Sequence, residues 1–366
     1  MQRTDAPGGA LSSKLFIPIV LLSLITFGYS FSRNMINQSA GANTYLVIFI
    51  GCLITIVSLW LIQSLADKYP DQSIIHWADN LLGPVGKIAT PLWLMVILIL
   101  VVLLTRRATD EVSTVILFRT PGFISTLAFI FIAGYIALLG EEALGRLSSV
   151  MLVLLPLLLV ILILSFRQVN FLNIHPVNIY RDLGYLKKWD LWLLIFSPVW
   201  ILASFNGHES LRNNFKSVIL TLVSGTFILG ATSLAIVGAF GVKGIERYQW
   251  PVMSLLNITE FAPSYFFQNF ITTIYFMIFI PFALVTVGSL LIVISKGLCE
   301  FLGLKNSQSK WLLFLIIGIL LILSSLLTQS YYKEIVDLGL RIGCFYTLGY
   351  VLLIWLISLF QRKEQA

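Results

Sequence analysis

Charge is scarce in this chain. Only 11% of its 366 residues are Asp, Glu, Lys or Arg, against roughly 25% in soluble domains. The hydrophobic share is 58% and the mean hydropathy +0.92. A water-exposed surface cannot hide that much apolar area, so a soluble enzyme, a disordered segment and a nucleic-acid binder are excluded. Cysteine is equally scarce. Cys52, Cys299 and Cys344 lie far apart in apolar surroundings with no C-x-x-C spacing, which excludes a disulfide framework. His76, His175 and His208 are scattered too, so no metal site, and with it no cofactor, is expected. The spans lack the clustered His, Asp, Glu, Cys and Ser that an intramembrane enzyme would need. Glu141-Glu142, Thr109-Asp110-Glu111 and Lys333-Glu334 read as solvated helix ends or contacts with partner subunits. What charge there is leans basic, 24 Lys+Arg against 17 Asp+Glu for a net +7, which suits anionic lipid headgroups and acidic partner surfaces.

Apolar runs are what the sequence has in abundance. A helix needs about 20 apolar residues to cross the hydrocarbon core, and about ten windows qualify: 14–36, 42–66, 87–106, 121–140, 146–167, 190–209, 216–240, 267–296, 311–328 and 338–360. The expectation is an all-α membrane protein, one transmembrane domain over 1–366, behind a short polar tail. The run after Lys14 lacks a small-residue cleavage site and reads as the first span, not a signal peptide. The connections Arg167–Trp189 and Gly241–Phe266 are expected to hold short interfacial helices or hairpin caps. In 73–83, Ile74, Ile75, Ala78, Leu81 and Leu82 share one helical face, Ser73 can cap it and Gly83 can end it. This predicts an amphipathic helix in the interface. Trp60, Trp77, Trp93, Trp189, Trp192, Trp250, Trp311 and Trp355 read mostly as interface anchors. Lys and Arg split evenly between the two sides, so charge gives no orientation. Arg33, Arg106 and Arg107 sit at helix ends, where burial in protein is an alternative to solvation.

Two spans carry unusual polar stretches. The first contains Thr26-Phe27-Gly28-Tyr29-Ser30-Phe31-Ser32-Arg33-Asn34, and the sixth Pro198 followed by Ser204-Phe205-Asn206-Gly207-His208-Glu209-Ser210. Unwound backbone survives at membrane depth only where it lines a protein cavity. Paired interruptions at positions one and six of a five-plus-five division point to a transporter-type site. The competing explanation is a small-residue packing seam. Arg33 and Glu209 are the charges nearest these stretches. In the eighth span Thr286 and Ser289 share a face and could offer hydroxyls to a ligand or ion, or bond back to their own helix.

Several motifs, in order, carry a resemblance over nearly the whole chain: Tyr69-Pro70 ahead of Ser73-Ile74-Ile75, then Leu82-Gly83 and Gly86; Arg106; Thr120-Pro121; Gly140-x-Glu142-x-x-x-Arg146; and Ser204-Phe205-Asn206-Gly207-His208-Glu209. Together they resemble the B subunit of GerA-type spore germination receptors, a branch of the amino acid–polyamine–organocation transporter superfamily. The departures are Asn206 and His208 for Phe and Gly, His76 for Glu, and Val96 or Ile97 where the family has an aromatic residue. They suit a different germinant.

The resemblance implies a LeuT-like fold of two inverted repeats, about 14–167 and 190–360, with helices one and six broken. A small germinant (an amino acid, sugar or nucleoside) would bind there. A carboxylate would meet the amides around Gly28, Tyr29 and Ser30, and an amino group the carbonyls of Ser204–Gly207, with Phe27, Phe205 and Thr286 shaping the pocket. Thr286 and Ser289 are the candidate ion site, and Arg106, Glu142, Arg146 and Glu209 the candidate gating or structural charges. The implied partners are an A subunit and a lipoprotein C subunit in the spore inner membrane. The alternative is a secondary amino acid permease. No Lys falls within 147–166, where proton-coupled relatives resemble one another in having one; sodium coupling remains open.

Overall fold

The computed structural model describes residues 13–35, 43–70, 72–174, 189–205, 208–258, 265–305, 308–326 and 346–360. The side chains of 13, 33–35, 189–192, 208–213 and 265–269 fall outside that description. The described residues form helices and connecting turns. The elements are α1 (Ser13–Met35), α2 (Thr44–Lys68), α3 (Ile74–Leu82), α4 (Pro84–Val115), α5 (Gly122–Leu139), α6 (Glu141–Met151), α7 (Leu155–Ser165), α8 (Trp189–Phe205), α9 (His208–Ile245), α10 (Pro251–Ile258), α11 (Tyr265–Phe301), α12 (Ser309–Leu326) and α13 (Tyr346–Phe360). Helical turns bridge α6 and α7 into one span, Glu141–Gln168. Eight helices are long and apolar enough to cross a membrane, and the two shorter apolar helices, Leu193–Phe205 and Tyr346–Phe360, fall at the two remaining expected spans. The chain is an integral, all-α membrane protein.

Burial ranks the spans. Of the apolar window of α1, 89% is buried, and 78% of that of α11, but only 22% for Glu141–Gln168 and 28% for α12. The outer helices therefore present Val150, Val153, Val160, Phe314 and Leu315 outward, the pattern of side chains whose solvent is lipid. Around α1 pack α9, α8, α11 and α6. Each of the four pairs α1–α8, α2–α9, α4–α11 and α5–α12 is in contact, so a span in one half touches its counterpart five spans on.

The α3–α4 corner follows from local chemistry. Gly83 takes φ 54, a region open to glycine at little cost, and Pro84 opens α4 with a preset φ. At Gly86 an added Cβ would lie 2.5 Å from the Ala78 carbonyl oxygen, so only glycine permits this approach. The expected apolar face of α3 is buried, Trp77 with it. It lies against α4, α8 and α11, so the helix packs on protein where an interfacial helix was expected. Ser73 stands at the cap position, but its hydroxyl makes no capping bond. It donates to Glu300 and pairs with His76 Nδ1 at 3.2 Å. Trp93 is likewise internal, stacked on Tyr350 at 5.6 Å. Trp60 and Trp311 are exposed on the surface of the bundle.

The interruption expected in the first span is absent: α1 is one helix from Ser13 to Met35. Its hydroxyls bond back onto it, Thr26 Oγ1 to the Leu22 carbonyl at 2.7 Å and Ser32 Oγ to Tyr29 O at 3.0 Å. Such bonds use a carbonyl's second lone pair and leave the helical ladder intact. Near the sixth span α8 ends at Phe205 and α9 opens at His208. Within α9 the backbone leaves helical geometry at Asn214 (φ −142, ψ 41) and Gly241 (φ 65, ψ 160). Of the two long connections, one carries α10 and the other a short helical turn, Phe171–Asn173, tied to α9 by Asn173 Nδ2 donating to the Gly238 carbonyl at 2.8 Å.

Candidate functional site

Glycines from both helices, Gly28 of α1 and Gly225 of α9, bring the α1–α9 seam close together. A Cβ on Gly28 would sit 2.3 Å from Leu229 Cδ2, so the glycine serves close packing, as small residues do between membrane helices. One residue on, Tyr29 is buried and its hydroxyl lies 3.3 Å from Thr232 Oγ1 on α9. Because Thr232 donates its own proton to the Ile228 carbonyl at 2.8 Å, Tyr29 is the donor of this pair.

Two cavities meet at that pair. The first, between α1, α2, α8 and α9, includes Gly28, Tyr29, Ser32, Thr44 and Thr232 and spans about 280 Å³ of space between atoms, part of it open to the outside. The second, of about 340 Å³, lies between α1, α7, α9, α10 and α11, and Tyr29, Thr232, Ser165 and Tyr275 supply its polar groups. Most of either space is crevice too narrow for a solute. Tyr29 and Thr232 belong to both walls and form the partition between them.

The expected site residues divide around this frame. Gly28 and Tyr29 line the first cavity. Phe27 is fully buried, its ring 5.8 Å from that of Phe31. Ser30 is buried with no partner for its hydroxyl. The expectation that amides of Gly28–Ser30 receive a carboxylate is not met, because in an unbroken helix they face along the helix. Ser204 and Phe205 are buried at the end of α8, the Ser204 hydroxyl bonded to the Ile201 carbonyl at 3.0 Å. Asn206, Gly207 and the side chains of Glu209 and Arg33 lie outside the described residues.

Thr286 donates to the Phe282 carbonyl at 2.8 Å and stands 3.2 Å from Thr26 Oγ1 on α1. Ser289 donates to the Thr286 carbonyl at 2.8 Å. Their protons are spent on their own helix, and only oxygen lone pairs remain for a cation. Arg106 pairs with Asp110 at 3.0 Å and reaches the Ser324 carbonyl at 3.4 Å on α12. Glu142 and Arg146 form an exposed pair at 2.6 Å, of the kind that contributes little. Glu141, expected to be solvated, is largely buried and paired with Lys296 of α11 at 2.8 Å. It borders a third cavity that includes Ser289, Phe16 and Ile19.

The strongest polar cluster gathers Arg107, for which burial was an alternative to solvation, and Glu111, which was expected at a solvated end or a partner contact. Arg107 is only 7% exposed. Its Nε donates to the Ser30 carbonyl of α1 at 2.8 Å, its Nη2 to the Gln249 carbonyl at 2.9 Å, and its guanidinium lies 3.9 Å over the Trp250 ring. One turn on, Glu111 is 3% exposed and accepts a hydrogen bond from the Tyr275 hydroxyl at 3.1 Å. Thr109 and Glu111 are thus interior groups, and Trp250 is a platform for a buried cation where a lipid anchor was expected. The signal was present: Leu100, Leu103, Leu104, Arg107, Ala108 and Glu111 continue one buried stripe at helical spacing. Among the described residues no three His, Cys, Asp or Glu come together as metal ligands.

Comparison with known proteins agrees with this architecture. The profile of a family described as "Spore germination protein" matches residues 10–332. A Bacillus subtilis (strain 168) protein, YfkT, provisionally assigned to spore germination by its name, is 24% identical over 271 residues, 71% of each chain. The family is of transporter and receptor type, and with it the eight long apolar helices of this chain fit an integral protein of the spore inner membrane or cell membrane. With the match covering residues 10–332 of an all-helical membrane protein, the chain belongs to the spore germination protein family.

Proposed function

We propose that this chain is the germinant-sensing B subunit of a spore germination receptor, built as two inverted five-span repeats and acting beside an A subunit and a lipoprotein C subunit. The observation that carries the reading is the pair of cavities divided by the Tyr29–Thr232 hydrogen bond in a chain of this family. The α1–α8, α2–α9, α4–α11 and α5–α12 contacts support the two-repeat reading. The germinant is a small molecule with an apolar body and a hydrogen-bonding group, because Ile48, Ile195 and Ile236 share the first cavity with hydroxyls. The cavities are contracted, so such a ligand acts by favouring a conformation in which α1 and α9 stand further apart. It shifts the protein only by its differential affinity for that state.

The test is germination of spores in which the gene is deleted or replaced by Thr232→Val. Loss of the response to one germinant, with others intact and the variant present at normal levels, is the expected result. A full panel of normal responses in the deletion strain would overturn the assignment. A second reading, a secondary amino acid permease, is favoured by the buried carboxyl of Glu111. Uptake into proteoliposomes that collapses with the proton or sodium gradient would select it. Sodium would draw on Thr286 and Ser289 oxygens, and a proton on a carboxyl.

A further inference from the structure

We propose that the Glu111 carboxyl is a proton-binding site inside the membrane bundle, and that the Tyr275 hydroxyl connects it to the larger cavity beside α1. The cavity's role in sensing rests on the reading above; the proton site does not. Glu111 lies within the span formed by α4, almost fully enclosed. Carboxyls buried within a bundle of membrane-spanning helices are costly when ionised and mark ion pathways. Tyr275, itself buried, donates to Glu111 at 3.1 Å and also belongs to the wall of the 340 Å³ cavity. One phenol therefore touches both the carboxyl and a space with room for water.

The surrounding groups are few. On α4 itself Arg107 lies one turn before Glu111 on the same face, while Arg106 and Asp110 pair with each other on the flank. From α11 comes Tyr275. From α1 come Tyr29, which shares the cavity wall, and the Ser30 carbonyl held by Arg107. From α5 Thr126 reaches Thr109 at 3.1 Å, and from α12 the Ser324 carbonyl meets Arg106. His76 and Asp79 on α3 belong to the opposite end of α4, whose length from Gly86 to Glu111 is about 38 Å. α10 brings no titratable side chain. The charge of Glu111 is thus governed by two neighbours, Arg107 and Tyr275. Both are attached to moving parts of the proposed sensor: Arg107 through Ser30 of α1 and Gln249 ahead of α10, Tyr275 through α11. The proton step balances simply. Tyr275 passes its O–H proton to the carboxylate and regains one from a hydronium ion that reaches the cavity from the acidic side and is left as water, so one proton moves from solvent to carboxyl.

The test needs no germinant. Infrared spectra of the full-length protein in phospholipid vesicles are recorded from acidic to alkaline buffer. The expected result is a protonated-carboxyl C=O band that appears on acidification and is missing in Glu111→Gln. In Tyr275→Phe the band persists but moves to higher wavenumber, having lost a hydrogen bond. Its exchange into heavy water slows several-fold there, and also in Leu158→Trp, which fills the cavity without touching the carboxyl. Three results would each overturn the proposal: identical acidic spectra for the parent and Glu111→Gln; a band unchanged up to alkaline pH, which marks a fixed structural proton; or exchange indifferent to both Tyr275→Phe and Leu158→Trp. Should Glu111→Gln fail to fold, the Tyr275→Phe band shift decides alone. Failure here leaves the germinant reading standing, and a lost germinant response with this band intact concerns only that reading.

Discussion

The two ends of α11 hold their charges in opposite ways. Tyr275 and Lys296 are 21 residues apart, about 31 Å along a helix, a separation comparable to the thickness of the hydrocarbon core. At the Tyr275 end a buried guanidinium is spread over two backbone carbonyls and an indole face, next to a carboxyl capped by a phenol. At the Lys296 end one ammonium meets Glu141 directly, with Lys296 34% and Glu141 14% exposed. The first arrangement joins α1, α4, α11 and the segment before α10. The second joins only α6 and α11. Water can replace a partner at the wetter end, whereas the dry end has no substitute for what is removed.

Arg107→Ala should separate the two ends most sharply. It strips two buried carbonyls of a charged donor, empties the space over Trp250 and leaves Glu111 without the cation one turn away. Removing one member of a buried charged cluster costs about 3–5 kcal/mol. Thermal unfolding in detergent should show the largest loss of any substitution considered. Arg107→Lys sharpens the point. Lysine keeps the charge but cannot present two divergent donors and a flat face together, so about half of that loss should remain. If Arg107→Lys were neutral, charge alone would matter at this end and the forked geometry would be incidental.

Gly28→Ala comes next, and it tests whether the centre of the bundle behaves like its dry end. The new Cβ would stand 2.3 Å from one Leu229 methyl and 2.7 Å from the other. The leucine tip must turn or the helices must part, and overpacking of this kind costs about 1–3 kcal/mol. Leu229→Ala in the same chain should recover most of it, a coupling that a double-mutant cycle measures directly. Additive losses would show that Gly28 serves something other than the α1–α9 approach.

These same residues show how much could be read in advance. Eight of the ten expected spans, with shorter apolar helices at the other two, the α3 corner and α10 were legible because apolar length, glycine and proline placement act locally. Gly28 was singled out, yet for unwinding; its real constraint is a leucine two hundred residues away, which no local pattern contains. Glu111 was read as a solvated helix-end charge, and Arg107 as a helix-end charge for which burial in protein was an alternative, because α4 runs to Val115, well beyond a minimal crossing, and a charge near the end of an apolar run usually meets water. Their burial depends on α1 and α11 closing over them. The same holds for Trp77 and Trp93, whose amphipathic rings suit an interface but whose neighbours α11 and α13 cover them. Tyr29 was named in the sequence, but its partition with Thr232 required the register of α9 against α1.

The smallest effect belongs to the wetter end. Lys296→Met keeps the aliphatic stem and removes the charge that faces Glu141. Two opposing terms nearly cancel. The lost ion pair is partly solvent-screened, so its removal costs at most about 1 kcal/mol, and polar contacts between membrane helices average about 0.6 kcal/mol by double-mutant cycles. Against this, Lys296 no longer pays desolvation where it is half enclosed, and Glu141, at the opening turn of α6, keeps the favourable field of that helix N-terminus. The expected change in unfolding is therefore under about 1 kcal/mol, and it should shrink further in high salt. Salt should leave the Arg107→Ala loss nearly untouched, since a cluster closed to water is closed to counterions as well. A Lys296→Met loss as large and as salt-resistant as that of Arg107→Ala would mean that the two ends are equally sealed, and the asymmetry that ties the proton site to one side of the bundle would disappear.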